Sequence, residues 1–324
     1  MKSLPHDRSG LLVEQGIPTT FFLNSIDRWI ETMMADDRGG SENISRLVNA
    51  KVIAKMDGII CGHLVIERLI QRYASDCNIQ WSVAEGDSVK SGDTVLRLNG
   101  SSSKILKIER ILLNILGKLS GISTSTSKWV TISENIGIAC TRKTDWGLLD
   151  KWAVNIGGGL THRLDRKDAL MIKENDLASA KEQSEKETDT LKRIILDINL
   201  QENSEFIVIE IQNLDQAITA AKAWTELQKK IQRSYPVVLL LDNMEISQIT
   251  DVVRELEVLN LRKSCILEGS GGVTITSIPK WASSGVDLIS TSAVNRGVTP
   301  VSYTHLRAHE TREDRGWRRV REKK

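Results

Sequence analysis

Three clusters in the sequence hold side chains able to bind a small polyanion. The first is Thr141-Arg142-Lys143-Thr144, directly after the apolar run Ile136–Cys140. The second is Gly157-Gly158-Gly159 with His162-Arg163 behind it, then Lys173 closing the run Ala169–Ile172. The third is spread over later runs as Glu210, Asp242 and Ser270-Gly271-Gly272. Arg142, Lys143, His162, Arg163 and Lys173 put positive charge on neighbouring loops. A guanidinium offers a planar fork to carboxylates, whereas an ammonium is a point charge suited to phosphates. Glu210 and Asp242 are hard oxygen donors of the kind that hold Mg²⁺ together with substrate phosphates. Ser270-Gly271-Gly272 stands before an expected helix from about Ile275, where backbone N–H groups can cradle a phosphate.

Taken singly, each feature is ordinary. An acid at the end of a strand is more often solvated than functional, and Ser-Gly-Gly is a turn at least as often as a phosphate loop. Their recurrence at successive strand ends carries the weight. The residue types describe a site for a small molecule bearing phosphates and carboxylates, and spacing alone leaves the reaction open.

The elements that must position these residues follow from apolar rhythm. Thr20–Met34 has helical spacing, stopped by Arg38-Gly39-Gly40. Arg46 to Leu98 reads as short β-like runs broken at Asp57-Gly58, Gly62, Gly86-Asp87 and Gly92-Asp93, a small β-rich domain with its leading helix. Lys104–Leu119 is a strong helix, with Ile105, Ile108, Leu112, Ile115, Leu116 and Leu119 on one stripe and Ser120-Gly121 as the expected stop. Beyond Ser133 strands and helices alternate. Strands are expected at Ile136–Cys140, Ala169–Ile172, Phe206–Ile211, Val237–Leu241, Cys265–Leu267 and Leu288–Ile289, with helices such as Leu214–Ile231 and Ile246–Leu259 between them. That rhythm implies a parallel sheet covered by helices, a barrel or a doubly wound sheet. In a parallel α/β barrel the C-terminal strand ends carry the site. Ala180–Lys192 is charged throughout and reads as a solvated helix face.

Composition narrows the function classes. A net charge of +2 over 324 residues gives no global case for nucleic acid or an acidic partner. No apolar run is long enough for a membrane span, and MKSLPHDRSG lacks the apolar stretch of a signal peptide. Cys61, Cys77, Cys140 and Cys265 have no metal-ligand spacing and suit reduced thiols in a cytoplasm. Tyr303–Lys324 is dense in charge without an apolar period, and reads as a non-native or disordered tail rather than a nucleic-acid-binding one.

The string TRKTDWGLLDKWAVNIGGGLTHRLDRKDALMIKEN closely resembles the signature of the quinolinate phosphoribosyltransferases. IERILLNILGKLSGISTST, IEIQNLDQA, LLLDN, LEGSGGVT and GVDLIS match the same family in order, and EGDSVKSGDTVLRLNG resembles its small N-terminal domain. The resemblance spans roughly Ser25 to Ser302. It implies an α/β protein with an open-faced α/β sandwich over residues 1–103 and an incomplete seven-stranded α/β barrel over 104–302, of the type II phosphoribosyltransferase kind. The implied reaction joins quinolinate to phosphoribosyl pyrophosphate with loss of CO₂, with Mg²⁺ as cofactor, in a homodimer whose sites are shared. Carried over by motif, Arg110 is the arginine lent to the partner subunit's site. Thr141 is among the substrate-binding residues, and Arg142, His162, Arg163 and Lys173 take the two carboxylates. Lys143, Glu210 and Asp242 meet the phosphoribosyl pyrophosphate and its Mg²⁺. Ser270, Gly271 and Gly272, with Thr291, Ser292 and Ala293, take the 5-phosphate.

The chain departs from the family pattern in places. Trp146 stands where proline is common, Asp176 where histidine usually follows, and Val208 where an acid is frequent. Ser292 replaces a usual glycine in the last phosphate loop, and Arg296 a frequent histidine. These keep open a related phosphoribosyltransferase with another acceptor, or a paralogue without activity. A biotinyl or lipoyl carrier reading of EGDSVKSGDTVLRLNG lacks its lysine hairpin, because SSSKILKIER opens a helix and Lys55-Met56 precedes the motif.

Overall fold

Alternating apolar positions build the first half of the chain and continuous apolar runs the second, and the two textures fold as two units. A computed structural model describes residues 4–37, 46–199, 206–232 and 235–304, with the backbone of 307–309. One unit is Leu23–Thr124 with the chain from Thr299 onward; the other is the chain through Phe22 with Ser125–Val298.

The chain starts with a short ribbon, β1 (Val13–Glu14) and β2 (Ile17–Pro18), followed by α1 (Thr20–Asp36). The small unit then contains β3 (Leu47–Ile53), β4 (Gly58–Ile59), α2 (His63–Tyr73), β5 (Asn78–Trp81), β6 (Ser88–Val89) and β7 (Thr94–Ser101). On β3, Val48, Ala50 and Val52 are buried, and they register with Gly100, Leu98 and Leu96 of β7. Leu47 and Asn49 between them are exposed, so the sheet buries one face and leaves the other open. The stretch read as wholly β-like contains a helix, α2. Val65, Ile66, Leu69 and Ile70 are its buried residues, spaced i, i+1, i+4, i+5, which is a helical stripe rather than strand alternation.

The helix α3 (Ser102–Ser133) does not stop at Ser120-Gly121. A Cβ on Gly121 would lie 2.6 Å from the Thr299 carbonyl oxygen and 2.9 Å from the Pro300 Cα. Gly121 therefore serves close backbone approach within the helix rather than termination. The expected domain limit near residue 103 accordingly falls inside this helix, and the units divide between Thr124 and Ser125.

The C-terminal limit moves as well. Tyr303, expected to open the tail, is buried, and its hydroxyl donates to Ser120 Oγ at 3.0 Å. Thr304 donates to the Ile53 carbonyl, and β14 (Arg307–His309) pairs antiparallel with β3. Residues 305–306 and 310–324 of the tail, like Arg38-Gly39-Gly40, lie outside the described residues.

The large unit alternates strand and helix: β8 (Gly137–Cys140), α4 (Leu148–Ile156), β9 (Ala169–Ile172), α5 (Glu174–Ala180), α6 (Glu187–Leu196), β10 (Phe206–Ile211), α7 (Leu214–Ile231), β11 (Val237–Asp242), α8 (Ile246–Val258), β12 (Cys265–Ser270), α9 (Ile278–Ser283) and β13 (Leu288–Thr291). The charged stretch Ala180–Lys192 is split by the break between α5 and α6. The strands form one parallel sheet in the order β8-β13-β12-β11-β10-β9. The seventh strand position is reduced to a single parallel bridge between Leu160 and Ala139. The sheet curls, because one cluster joins residues from both of its ends: Ala139 and Ala169 pack with Phe206, Val208, Val238, Leu240, Ile266 and Leu288. The result is an open α/β half-barrel whose concave face carries its own apolar core.

Among the described residues, no helix is long and apolar enough to cross a membrane. The four cysteines are free and buried.

Candidate active site

Strand parity carries the core into the site. Because side chains alternate across a strand, the inward series continues past each core residue in steps of two. Val208 leads to Glu210, Leu240 to Asp242, Ile266 to Glu268 and Ser270, Leu288 to Ser290, Ala139 to Thr141, and Ala169 to Met171 and Lys173. Those successors lie at the C-terminal ends of their strands, together with Arg142, Lys143, His162 and Arg163, and they line a cavity of about 420 Å³. Nine of the residues expected from sequence meet there: Thr141, Arg142, Lys143, His162, Arg163, Lys173, Glu210, Asp242 and Ser270.

The phosphate-loop residues divide. Gly272, Thr291, Ser292 and Ala293 line a second cavity of about 560 Å³ with Asp145, Val273, Arg296 and Gly297. Ser270 and Gly272 are two residues apart and face different cavities, as do the neighbours Ser290 and Thr291, so the two cavities share a wall. Gly271 sits in that wall at φ +100°, and a Cβ there would collide with Asn243. The expected helix after this loop is a 3₁₀ turn, Ile275–Ser277, leading into the short α9. Arg296 Nε lies 3.5 Å from Asp145 Oδ1, which places a cation on the second cavity's rim. Arg110 is exposed on α3, in the other unit.

Charge is arranged unevenly around the first cavity. Arg142 and Lys143 are exposed on the loop after β8. Asn295 Nδ2 donates to the Lys143 carbonyl at 3.1 Å and to Asp150 Oδ2 at 3.1 Å, which fixes that loop from below. Arg163 is nearly buried, donating to the Ala169 carbonyl and to Met171 Sδ, each at 3.2 Å. Burial, then the neighbouring Arg142 and Arg166, lower its pKa. Lys173 Nζ pairs with Glu210 Oε2 at 3.1 Å, so two residues expected in separate roles meet. Asp242 accepts from Asn243 Nδ2 at 2.9 Å.

Several site residues were missed in the sequence. Glu268 is fully buried on β12, and parity from Ile266 would have found it. His162 Nε2 lies 3.0 Å from Glu268 Oε1, and its Nδ1 accepts from the Arg163 N–H at 2.6 Å. These bonds together select the neutral Nε2–H tautomer. Burial lowers the His162 pKa, outweighing the pull of Glu268. Burial also works to raise the Glu268 carboxyl, but His162 and then His6 overcome it and hold the carboxyl below the usual carboxylate range. Lys151, buried on α4, donates to the carbonyls of Thr161 at 2.6 Å, Cys140 at 3.0 Å and Thr141 at 3.3 Å. Its burial lowers its pKa. No spacing signal distinguishes Lys151 or His6 from surface residues.

The residue types fit a magnesium ion. Glu210 and Asp242 present carboxylates from adjacent strands to one open cavity, the small ligand number that Mg²⁺ takes when phosphates complete its shell.

Comparison with known proteins agrees with this geometry. Residues 33–120 match the sequence model "Quinolinate phosphoribosyl transferase, N-terminal domain", and residues 122–304 match the corresponding C-terminal domain. The second match runs through Tyr303, in keeping with its burial. The chain is 34% identical over 278 residues to a probable nicotinate-nucleotide pyrophosphorylase [carboxylating] of Methanothermobacter thermautotrophicus, covering 84% of this chain and 90% of that one. It is 30% identical to the protein of the same description from Archaeoglobus fulgidus, covering 79% of this chain and 93% of that one. The solved nicotinate-nucleotide pyrophosphorylase of Francisella tularensis superposes with a TM-score of 0.73 at 26% identity, covering 88% of this chain and 96% of that one. With both domains matched in order and the strand-end site in place, the chain belongs to the quinolinate phosphoribosyltransferase family.

Proposed function

We propose that this chain transfers the phosphoribosyl group of phosphoribosyl pyrophosphate to the ring nitrogen of quinolinate and releases CO₂, supplying nicotinate mononucleotide for NAD synthesis. The observation that carries this reading is the pair of cavities sharing the Ser270–Gly272 wall. One is lined by Arg142, Arg163 and Lys173 beside two carboxylates, and the other by a glycine-rich loop with Arg296.

The acceptor lies in the first cavity, its two carboxylates on Arg142, Arg163 and Lys173. A planar dicarboxylate uses both guanidinium forks, whereas a monocarboxylate leaves one unmatched. His162 holds the Arg163 backbone in register, since both of its ring nitrogens are committed. The 5-phosphate lies in the second cavity against Gly272, Ser292 and Ala293. The pyrophosphate then points toward Lys143, Glu210 and Asp242. Glu210 and Asp242 would hold Mg²⁺, which would supply charge neutralisation for the departing pyrophosphate.

The ring nitrogen donates its lone pair to the ribose anomeric carbon while the bond to pyrophosphate breaks. Lys143 stabilises the charge that collects on the leaving group. Arg142 and Arg163 supply most of the rate by holding the nitrogen in line with that carbon. N-ribosylation leaves the ring cationic. The adjacent carboxylate then departs as CO₂, its bonding electrons stay on the ring carbon, and a proton from solvent takes its place. No covalent enzyme intermediate is needed.

The active unit is a homodimer in which Arg110 completes the partner subunit's acceptor site. The four free thiols suit a cytoplasmic setting. Offering quinolinate and nicotinate separately, with phosphoribosyl pyrophosphate and Mg²⁺, tests the acceptor. Quinolinate is expected to be consumed and nicotinate ignored; equal use of nicotinate contradicts the dicarboxylate reading.

A further inference from the structure

The first described residues, from Leu4, belong to the half-barrel, and they bind the loop that carries His162 and Arg163. Leu4 packs against the barrel core. The His6 carbonyl accepts from Thr161 Oγ1 at 3.2 Å, and Thr161 Oγ1 in turn accepts from the Arg8 N–H at 2.8 Å. Arg8 Nε donates to Asp168 Oδ1 at 2.9 Å, while Asp168 Oδ2 accepts from the Leu164 N–H at 2.9 Å. The strap is thus fastened at both ends of the 161–168 loop.

Between those fastenings His6 is fully buried, with Nε2 3.0 Å from Glu268 Oε2. Its ring lies edge-on to His162, with centroids 4.9 Å apart, and against Phe206 at 5.1 Å. Glu268 therefore stands between two imidazoles. His6, Glu268, His162 and the Arg163 N–H form one line of hydrogen bonds, from the N-terminal strap to a guanidinium that lines the acceptor cavity.

We propose that His6 is a positioning residue for acceptor binding, acting through Glu268 and His162 on Arg163. The inference rests on the assignment of Arg163 to the acceptor carboxylate. Glu268 on its fully buried site needs donors on both oxygens to stay ionised and fixed. His6 supplies one to Oε2, while His162 Nε2 lies 3.0 Å from Oε1 and 3.2 Å from Oε2. With His6 gone, the carboxylate turns or takes a proton, His162 loses its fixed partner, and the Arg163 backbone bonded to His162 Nδ1 shifts with it. The two imidazoles and the carboxylate also form a potential metal donor set, with ligand atoms within 4.8 Å of one another. The close contacts among them are, however, hydrogen bonds within the cluster, and the nearby Lys151 adds positive charge at His162. The hydrogen-bonded relay uses the Nε2 of each imidazole and both Glu268 oxygens, while His6 Nδ1 is buried without a partner.

The test is a comparison of His6→Asn with His6→Gln in the full chain. Gln places an amide N–H near the position of the histidine Nε2, and Asn falls short by a methylene. His6→Asn is expected to raise the KM for quinolinate about tenfold, the loss for one hydrogen bond to a charged group. KM for phosphoribosyl pyrophosphate and kcat should stay within about twofold, and His6→Gln should recover most of the quinolinate KM. If His6→Asn lowers only the melting temperature, or raises both KM values alike, or if Gln fails to rescue, His6 merely holds the strap down. A native chain that does not turn over quinolinate overturns the function reading and this inference with it. Native turnover with an unchanged KM in both variants overturns this inference alone.

Discussion

The ammonium of Lys151 donates to the carbonyl of Thr161 at 2.6 Å, from inside the protein rather than from its surface. The same Nζ also bonds the carbonyls of Cys140 and Thr141. One lysine thus ties the backbone before Arg142 to the backbone before His162, the two loops that bring Arg142, Lys143 and Arg163 to the first cavity. Lys151→Met keeps the stem and removes the donor, leaving the buried carbonyls of Cys140 and Thr161 short of a partner. It is expected to cost at least about 2 kcal/mol of stability and to raise the KM for quinolinate. Denaturant midpoints together with steady-state kinetics check both; a stable variant with native KM would remove Lys151 from the site's support.

Lys143→Ala should lower kcat by about 10²–10³, the usual loss for one preorganised electrostatic group. On the proposed shared site, Arg110→Ala should also be inactive. Mixing the two dead chains should restore activity, because some hybrid sites then contain both native side chains. Mixtures that stay dead despite confirmed subunit exchange contradict a shared site.

Acid should destabilise the protein in two stages. Burial lowers the His162 pKa below its ordinary 6.5, so beneath that pH the unfolded chain binds a proton the folded form resists. Stability therefore falls as pH drops from 6.5 toward the folded pKa. Glu268 is held below its ordinary 4.5, so its contribution is present above 4.5 and is lost as pH falls through the folded value. Melting temperature measured from about pH 8 to about pH 4 should start to decline near the histidine range. His162→Asn should shrink that first stage, the remainder belonging to His63, whose pKa burial also lowers; a decline confined to pH below the carboxylate range contradicts the neutral-histidine assignment.

The C-terminal boundary can be tested at one side chain. The Tyr303 hydroxyl donates to Ser120 Oγ, which itself donates to the Cys61 carbonyl and accepts from its N–H. Tyr303→Phe should cost about 1 kcal/mol, and Tyr303→Ala about 3–5 kcal/mol, by denaturant unfolding. Removal of residues 310–324 should leave activity unchanged. No loss in Tyr303→Ala would return Tyr303 to the tail.

Much of this was legible in the residues because parallel strands announce themselves twice. Residues 206–209 and Ala169–Ile172 are continuous apolar runs followed directly by Glu210 and Lys173, so the same stretch gives both the strand and the site. The short runs at Cys265 and Leu288 were cut early, because Glu268, Ser270 and Ser290 interrupt them with the polar side chains the cavity needs. The small unit was harder to read. In α2 the apolar pairs Val65-Ile66 and Leu69-Ile70 look like β-branched strand until their four-residue spacing is counted. Gly121 and Tyr303 misled for a shared reason: each is explained by a packing partner more than 50 residues away in sequence, Thr299 for one and Ser120 for the other. His6 and Lys151 gave no local signal, since their importance comes only from burial.

Decarboxylating transfer to quinolinate is read most directly as CO₂ release from quinolinate labelled in the carboxylate next to the ring nitrogen. Labelled CO₂ is expected in equal amount to pyrophosphate, only when phosphoribosyl pyrophosphate and Mg²⁺ are both present, and none in Arg163→Ala. Pyrophosphate without labelled CO₂, or neither product from a folded protein, would contradict it.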